Sequence, residues 1–88
     1  MKIRFVSGEK VRKRHINFLM GCNDLACPYV PRGEIWIDRH MTPCDRKATI
    51  VHETTERKLM ADGMKYAAAH RKANVAEMEF RQKAKVCK

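Results

Sequence analysis

Two residues four positions apart, His52 and Glu56, have the residue types and the spacing of metal ligands. They stand in segment 50–56 (IVHETTE), and on a helix this separation places both side chains on one face, one turn apart. An imidazole and a carboxylate in that arrangement can share one cation. Glu53 follows His52 directly and is rotated from it by about 100°. The segment therefore predicts a metal site with an additional carboxylate beside it.

A third ligand is predicted from the geometry of a helical hairpin that turns at Gly63. Glu56 lies seven residues before this glycine and His70 seven residues after it, so both lie about 10 Å from the turn. Packed helices are about 8–10 Å apart, which lets His70 complete a set of two imidazoles and one carboxylate. That set, with water in the fourth position, is typical of catalytic zinc sites. Glu77 follows His70 on the same face, and we expect it to hold the outer nitrogen of His52 or to replace a ligand.

The alternative is that His52 and Glu56 form only a surface pair, which would contribute a few tenths of a kcal/mol. The apolar residues just before His52 argue against it, because they predict a buried approach to the site: Ala48, Ile50 and Val51. His15 and His40 show no comparable pattern, and we interpret both as ordinary polar residues.

The elements that must position these residues follow an order of three strands and then two helices. Alternating or β-branched runs predict strands over 2–7, 15–20 and 33–38, with a loop over 21–33. Thr42 as N-cap, Pro43 at the first helical position and Asp45 three residues after the cap predict a helix that ends near Asp62. A second helix is predicted over 64–84. We therefore expect one α+β domain over 1–88, with a short antiparallel sheet in 1–38 and a metal-binding helical hairpin in 43–84.

The net charge of +9 is concentrated at the two ends of the chain. Residues 1–20 carry six basic residues and one acidic residue, residues 81–88 carry four basic and none acidic, and 21–80 carry nine of each. Such ends either only solubilise the chain or contact phosphates, and in the second case the contacts would include Arg12, Lys13 and Arg14. No aromatic residues interleave the basic runs, so we expect weak, non-specific nucleic-acid binding.

Membrane and export segments are not indicated by the sequence. No apolar run approaches the ~20 residues of a membrane span, and the first residues lack the apolar core of a secretory signal. We therefore expect a cytoplasmic location, where Cys22, Cys27, Cys44 and Cys87 would be thiols. The alternative is a structural zinc site that begins at the C-x4-C pair of Cys22 and Cys27.

The middle and end of the chain resemble a known family. The strand RGEIWID, the capped helix with TIVHETTE and the helix with AAAHRKANVAEME resemble small zincin-like metallohydrolases, compact relatives of the gluzincin peptidases found in phages, prophages and archaea. The resemblance covers residues 32–80. This chain has Glu56 where the H-E-x-x-H motif of zinc peptidases has its second histidine.

The resemblance implies a zinc-dependent, peptidase-like hydrolase. In it His52, Glu56 and His70 would bind zinc, the ion would lower the pKa of its water towards about 7, and Glu53 would act as the general base. Tyr66 is a candidate for stabilising the oxyanion, and Glu34–Asp38 would be an edge strand that holds an extended peptide. If the chain is phage-encoded, its location would be the host cytoplasm.

Two further functions are open on the sequence alone. The chain could be a basic nucleic-acid-binding accessory protein in which zinc is structural, or a metal-stabilised interaction module without catalysis. The sequence assigns neither a substrate nor an oligomeric state, and it gives no role to residues 1–31.

Overall fold

The computed structural model describes residues 1–88 and forms an α+β fold, as the sequence predicts. Three strands and three helices follow one another along the chain, and a 3₁₀ turn over Lys85–Cys87 ends it. The elements are β1 (Lys2–Val6), α1 (Gly8–Arg12), β2 (Gly21–Asn23), β3 (Glu34–Asp38), α2 (Pro43–Ala61) and α3 (Tyr66–Lys83). None of the helices combines the length and the apolarity that a bilayer crossing requires.

The sheet is mixed, with β3 between β1 and β2. β1 runs parallel to β3, with Ile3 opposite Ile35, whereas β2 runs antiparallel to it, with Cys22 opposite Trp36. The expectation of a wholly antiparallel sheet was therefore wrong for β1. The chain leaves β1 through α1 and returns along β2 before it enters β3, and this long crossover lets β3 run in the direction of β1.

Residues 15–20 do not form the predicted second strand. Only Phe18 of this run enters the core, whereas Ile16 and Leu19 are 82% and 71% exposed, and the Phe18 amide donates to the His15 carbonyl in a turn. The strand begins instead at Gly21, inside the predicted loop. A Cβ at Gly21 would lie 3.0 Å from the Trp36 carbonyl oxygen and 3.0 Å from Thr49 Cγ2. The absence of a side chain there lets β2 lie close to both β3 and α2.

The short helix α1 follows β1 directly. The Ser7 hydroxyl accepts a hydrogen bond from the Lys10 amide and caps this helix. The Gly8 amide donates to Asp38 Oδ1 at 3.2 Å, and a Cβ at Gly8 would collide with that carboxylate. Glycine is therefore needed where α1 meets the end of β3.

The two long helices form the hairpin that the sequence predicts. Thr42 Oγ1 accepts the Asp45 amide at 3.1 Å, with Pro43 as the first helical residue. At the other end Gly63 has a φ of +104°, and the Met64 amide donates to the Leu59 carbonyl in a Schellman turn. α3 then packs along α2 through its small residues, since Ala69 and Ala73 are fully buried. These alanines let the two helix backbones approach closely.

All four cysteines form disulfides, which corrects the expectation of free thiols. Cys22 bonds to Cys27, and Cys44 bonds to Cys87. The first pair closes the turn after β2, and the second ties the 3₁₀ turn at the chain's end to the first turn of α2. A zinc site built on Cys22 and Cys27 is excluded in this state, because zinc binds thiolates.

The loop between β2 and β3 is attached to α2 by a partly buried ion pair. Asp24 Oδ1 accepts Arg57 Nε at 2.8 Å, and Asp24 Oδ2 accepts the Gly33 amide at 2.8 Å. The hydrogen bonds from Arg57 are the main cause that holds the pKa of Asp24 below its usual value, although burial opposes them. The carboxylate therefore stabilises the folded chain only while it is ionised.

We expect Asp24→Asn to lower the free energy of unfolding at neutral pH by about 2 kcal/mol, because a charged pair of hydrogen bonds is weakened. The folded pKa is lowered, so the contribution is present above the unfolded pKa of about 3.9 and is lost as the pH falls through the folded value. Urea unfolding of the wild-type chain and the variant at pH 7 and near pH 3 measures this difference. The matched control is Asp62→Asn, which changes an exposed carboxylate at the end of α2. A deficit in Asp24→Asn that persists undiminished at low pH would contradict the argument.

Candidate metal centre

Three ionisable residues that lie close together on α2 are buried. His52, Glu53 and Glu56 are 7%, 6% and 2% exposed, although two of them are acidic. Of the apolar residues predicted to be buried before His52, Ala48 is fully buried, whereas Ile50 and Val51 are only partly buried. Burial of carboxylates at this depth costs free energy unless partners compensate it. The surrounding elements must therefore supply those partners.

The structure brings His52, Glu56 and His70 together across the hairpin. Glu56 Oε2 lies 3.2 Å from His52 Nε2 and 2.8 Å from His70 Nδ1. One candidate ligand atom from each of the three residues lies within 4.8 Å of the other two. This group could hold a metal ion, since two imidazole nitrogens and one carboxylate oxygen converge on a single point.

The outer nitrogen of His52 is held by a chain of hydrogen bonds from α3. His52 Nδ1 lies 3.0 Å from Glu77 Oε1, and Arg81 Nε donates to Glu77 Oε2 at 2.9 Å. Arg81 also donates from Nη1 to Asp45 Oδ1 at 2.8 Å, back on α2. The carboxylate of Glu77 accepts the Nδ1 proton of His52, which leaves Nε2 directed at Glu56. Such partners fix the tautomer and the ring orientation of a metal-binding histidine.

Asn23, at the end of β2, holds the other oxygen of Glu56. Its Nδ2 donates to Glu56 Oε1 at 3.1 Å, and its Oδ1 accepts the amides of Leu25 and Ala26 at 2.9 and 3.0 Å. The side chain is fully buried. Asn23 was not predicted as a site residue, because it lies in a segment predicted as a loop, where asparagine is common for other reasons. Arg81 was also missed, although its i, i+4 spacing from Glu77 was a readable signal.

Electrostatics within the cluster differ sharply between the two glutamates of α2. Burial opposes ionisation of Glu56, but hydrogen bonds from His52 and His70 hold its pKa below the usual value. The hydrogen bond to Glu56 raises the pKa of His52, against the effect of burial. Burial, and then the negative charge of Glu56, raise the pKa of Glu53 to about 7, against the opposing effects of His52 and Asn23.

One carboxylate oxygen of Glu53 has no hydrogen-bond partner in the protein. This oxygen, Oε1, is buried, and Thr49 Oγ1, one turn earlier on α2, is likewise buried and without a partner. Both residues line a cleft of about 470 Å³, and the candidate metal ligands His52, Glu56 and His70 line the same cleft. Buried polar atoms are almost always hydrogen-bonded in proteins. A carboxylate with a free oxygen in a cleft beside a candidate metal site is therefore placed to act on a molecule that enters the cleft.

The mouth of the cleft is formed by apolar residues and by one tyrosine. Leu19 and Met20 line it from the segment before β2 and are 71% and 42% exposed. Tyr66 lines it from the first turn of α3, with its ring stacked on that of His70 and its hydroxyl 3.5 Å from His70 Nδ1. Burial, and then the negative charge of Glu56, raise the pKa of Tyr66. Tyr66 thus lies beside the cluster at the entrance.

Arg12, one of the basic residues considered for nucleic-acid binding, makes contacts within the chain. Arg12 Nη1 donates to the Leu19 carbonyl at 2.8 Å, and Arg12 Nη2 lies 3.7 Å from Asp38 Oδ2. Lys13 and Arg14 are exposed. Arg12 therefore links α1 to the segment before β2, and the exposed Lys13 and Arg14 follow it.

The two remaining histidines lie outside the cluster. His15 stacks on the ring of Tyr29 with a centroid distance of 3.8 Å, and His40 is exposed.

Comparisons with known proteins give no relative for this chain. No protein-family model, no curated protein and no solved structure matches it. The likeness to zincin-like metallohydrolases therefore rests on the residues of segment 32–80 alone, and what it implies for activity is a proposal.

We expect Asn23→Ala to lower the free energy of unfolding by about 2 kcal/mol, because it leaves Glu56 Oε1 buried without a donor and removes the acceptor for two turn amides. Thermal or urea unfolding checks this value. Asn17→Ala is the matched control, since Asn17 lines the same cleft but is exposed. Equal losses in the two variants would show that Asn23 does not support the cluster.

Proposed function

We propose that this chain is a zinc-dependent hydrolase with peptidase-like chemistry. The observation that carries the proposal is the proximity of His52, Glu56 and His70 in a cleft that is also lined by the buried carboxylate of Glu53, whose Oε1 has no hydrogen-bond partner. A purely structural cluster has no need of Glu53, whose burial raises its pKa and costs free energy. The cost is explained if the carboxylate serves a bound molecule.

The donor set fits zinc. Two imidazole nitrogens and one carboxylate oxygen from the protein, with one position open, are typical of catalytic zinc sites. When bound, zinc supplies Lewis acidity, which polarises a carbonyl group and makes a water molecule a better nucleophile near neutral pH. His52, Glu56 and His70 would hold the ion, and the Glu77 carboxylate would keep the ring of His52 in its ligating orientation.

In this proposal Glu53 is the main residue that transfers protons during hydrolysis. Its Oε1 would accept a proton from the water that attacks the carbonyl carbon of an amide, and the same atom would deliver that proton to the nitrogen as the carbon–nitrogen bond breaks. A pKa of about 7 suits a group that both accepts and returns a proton near neutrality. Tyr66, at the entrance beside His70, is the candidate donor to the developing oxyanion.

The second candidate function is a metal-stabilised interaction module without catalysis. It is favoured by the contact between Glu56 and His70, which joins α2 to α3 at the position where a metal would link them. In that case the metal would hold the hairpin, and Glu53 would be a tolerated cost. The two functions differ in what they require of Glu53, and this difference is testable.

A peptide substrate would need a different strand from the one that the sequence indicated. Glu34–Asp38 was expected to be an edge strand, but both of its sides are occupied by β1 and β2.

The two disulfides favour a different location from the cytoplasmic one that the sequence suggested, because disulfides persist best in oxidising compartments. We therefore propose that the protein works where Cys22–Cys27 and Cys44–Cys87 stay oxidised.

We expect the wild-type chain to bind one zinc ion, and His52→Ala, Glu56→Ala and His70→Ala each to lose it, because two ligands do not retain the ion against dialysis. Glu77→Gln should retain zinc with an affinity about 10–100-fold weaker, since it removes only the partner of a ligand. Metal content after dialysis and titration with a competing chelator measure both effects. His40→Ala is the control. Wild-type zinc content in the three ligand variants would refute the site.

For Glu53→Gln we expect full zinc content and a lost hydrolytic activity, because the amide is nearly isosteric but cannot accept the proton. Cleavage of a quenched-fluorescent peptide library by the zinc-loaded chain provides the assay, with Glu79→Gln as the control on an exposed carboxylate. Activity that survives in Glu53→Gln would assign the general base elsewhere. A zinc-loaded wild-type chain without any hydrolytic activity would favour the interaction module.

A further inference from the structure

β1 is an edge strand that the rest of the chain leaves uncovered. One side of it pairs with β3, and the other side meets no further strand. Each residue from Lys2 to Phe5 is exposed, and only Val6 is partly covered. Exposed edges of this kind offer a template for pairing with another extended chain, and proteins usually protect them.

The backbone groups on the open side belong to Ile3 and Phe5. The Lys2 amide donates to the Gly33 carbonyl, and the Val6 carbonyl accepts the Arg39 amide, each at 2.9 Å. The residues at positions 2, 4 and 6 therefore direct their backbone groups at β3, and by the alternation of a parallel ladder Ile3 and Phe5 direct theirs away from it. The open edge thus offers two donors and two acceptors.

The side chains of the same two residues extend the apolar face of the sheet beyond its covered part. Ile3 stands opposite Ile35 and Phe5 opposite Ile37, so the four lie on one side of the sheet. Ile35 and Ile37 are fully buried, whereas Ile3 and Phe5 are 36% and 48% exposed. An added strand would cover these side chains and would gain about 25 cal/mol for each Å² of apolar surface removed from water.

Charge decides which partner this edge accepts. Lys2 and Arg4 lie on the opposite side of β1 and are exposed, and Arg4 Nε also lies 3.0 Å from Glu34 Oε1 on β3. Lys10 and Lys13 of the following segment are exposed as well. A second copy of the chain paired antiparallel about Ile3 would place Lys2 opposite Arg4, and like charges in facing positions are destabilising. A strand with acidic residues at those positions would instead form ion pairs.

We propose that β1 binds, by strand addition, an extended segment of a partner protein in which acidic and apolar residues alternate. The apolar residues would cover Ile3 and Phe5, and the acidic ones would face Lys2 and Arg4. This gives the N-terminal positive charge a function that requires neither nucleic acid nor the metal centre. The interaction is therefore independent of the proposed hydrolytic activity.

The test uses the full oxidised chain and a soluble peptide of alternating glutamate and valine as the probe. Fluorescence anisotropy measures its affinity, and amide hydrogen exchange of the complex locates the contact. We expect the amides of Ile3 and Phe5 to become protected, and affinity to fall at least about 10-fold between 50 and 500 mM salt, because salt screens the ion pairs. A peptide of alternating lysine and valine should not bind.

Two variants separate the backbone contact from the apolar contact. Ile3→Pro removes an outward N–H without breaking the ladder to β3, and we expect it to weaken binding at least about 10-fold. Ile3→Thr, which keeps the backbone, should weaken binding less but measurably, and it covers the case in which the proline variant does not fold. Ile16→Thr is the matched control, because it truncates an isoleucine that is 82% exposed elsewhere.

Three results would overturn the proposal. They are equal binding of the acidic and the basic peptide, unchanged affinity in the Ile3 variants, and protection that is confined to amides outside β1. A concentration-dependent dimer whose β1 amides are protected without any peptide would assign the edge to a second copy instead.

Discussion

The buried carboxylate of Glu56 connects β2, α2 and α3. It accepts hydrogen bonds from Asn23 at the end of β2, from His52 on its own helix and from His70 on α3. A carboxylate that is 2% exposed is strongly destabilising without such partners. The position of the sheet edge against the hairpin is therefore coupled to the ionisation of one side chain. Binding of a metal ion at Glu56 would be coupled to the fold in the same way.

The charge around Glu56 explains why the cluster suits a cation. Glu53 and Glu77 add two carboxylates to the same cleft, while Arg81 is engaged with Glu77 and Asp45. Burial, and then the negative charge of Glu56, raise the pKa of Glu53. A divalent ion held by His52, Glu56 and His70 would lower the free energy of the ionised Glu53. A cation at this position would therefore favour the ionised form of Glu53.

The small size of the core makes covalent and ionic links important elsewhere in the chain. The fully or nearly fully buried apolar residues are few, and three of them are alanines: Phe18, Val30, Ile35, Ile37, Ala48, Ala69 and Ala73. The link between Cys44 and Cys87 holds the end of the chain to α2 and restricts the unfolded state. Arg12 and Gly8 both contact Asp38, which joins α1 to the end of β3. These links contribute stability that larger domains obtain from apolar burial alone.

The sequence by itself determined the helical hairpin and the meeting of Glu56 with His70. Both depend on local signals: Thr42 and Pro43 start α2, Gly63 ends it, and equal distances from the turn fix which residues face each other. Tertiary structure decided the rest. Contacts between segments far apart in the chain place β3 at the centre of the sheet and β2 at Gly21–Asn23. The same kind of contact pairs Asn23 with Glu56. The pairing of the cysteines is set in the same way, because only the folded backbone brings Cys44 and Cys87 within bonding distance. Hydrophobic periodicity reports how one segment is buried, but it carries no information about which distant segment covers it.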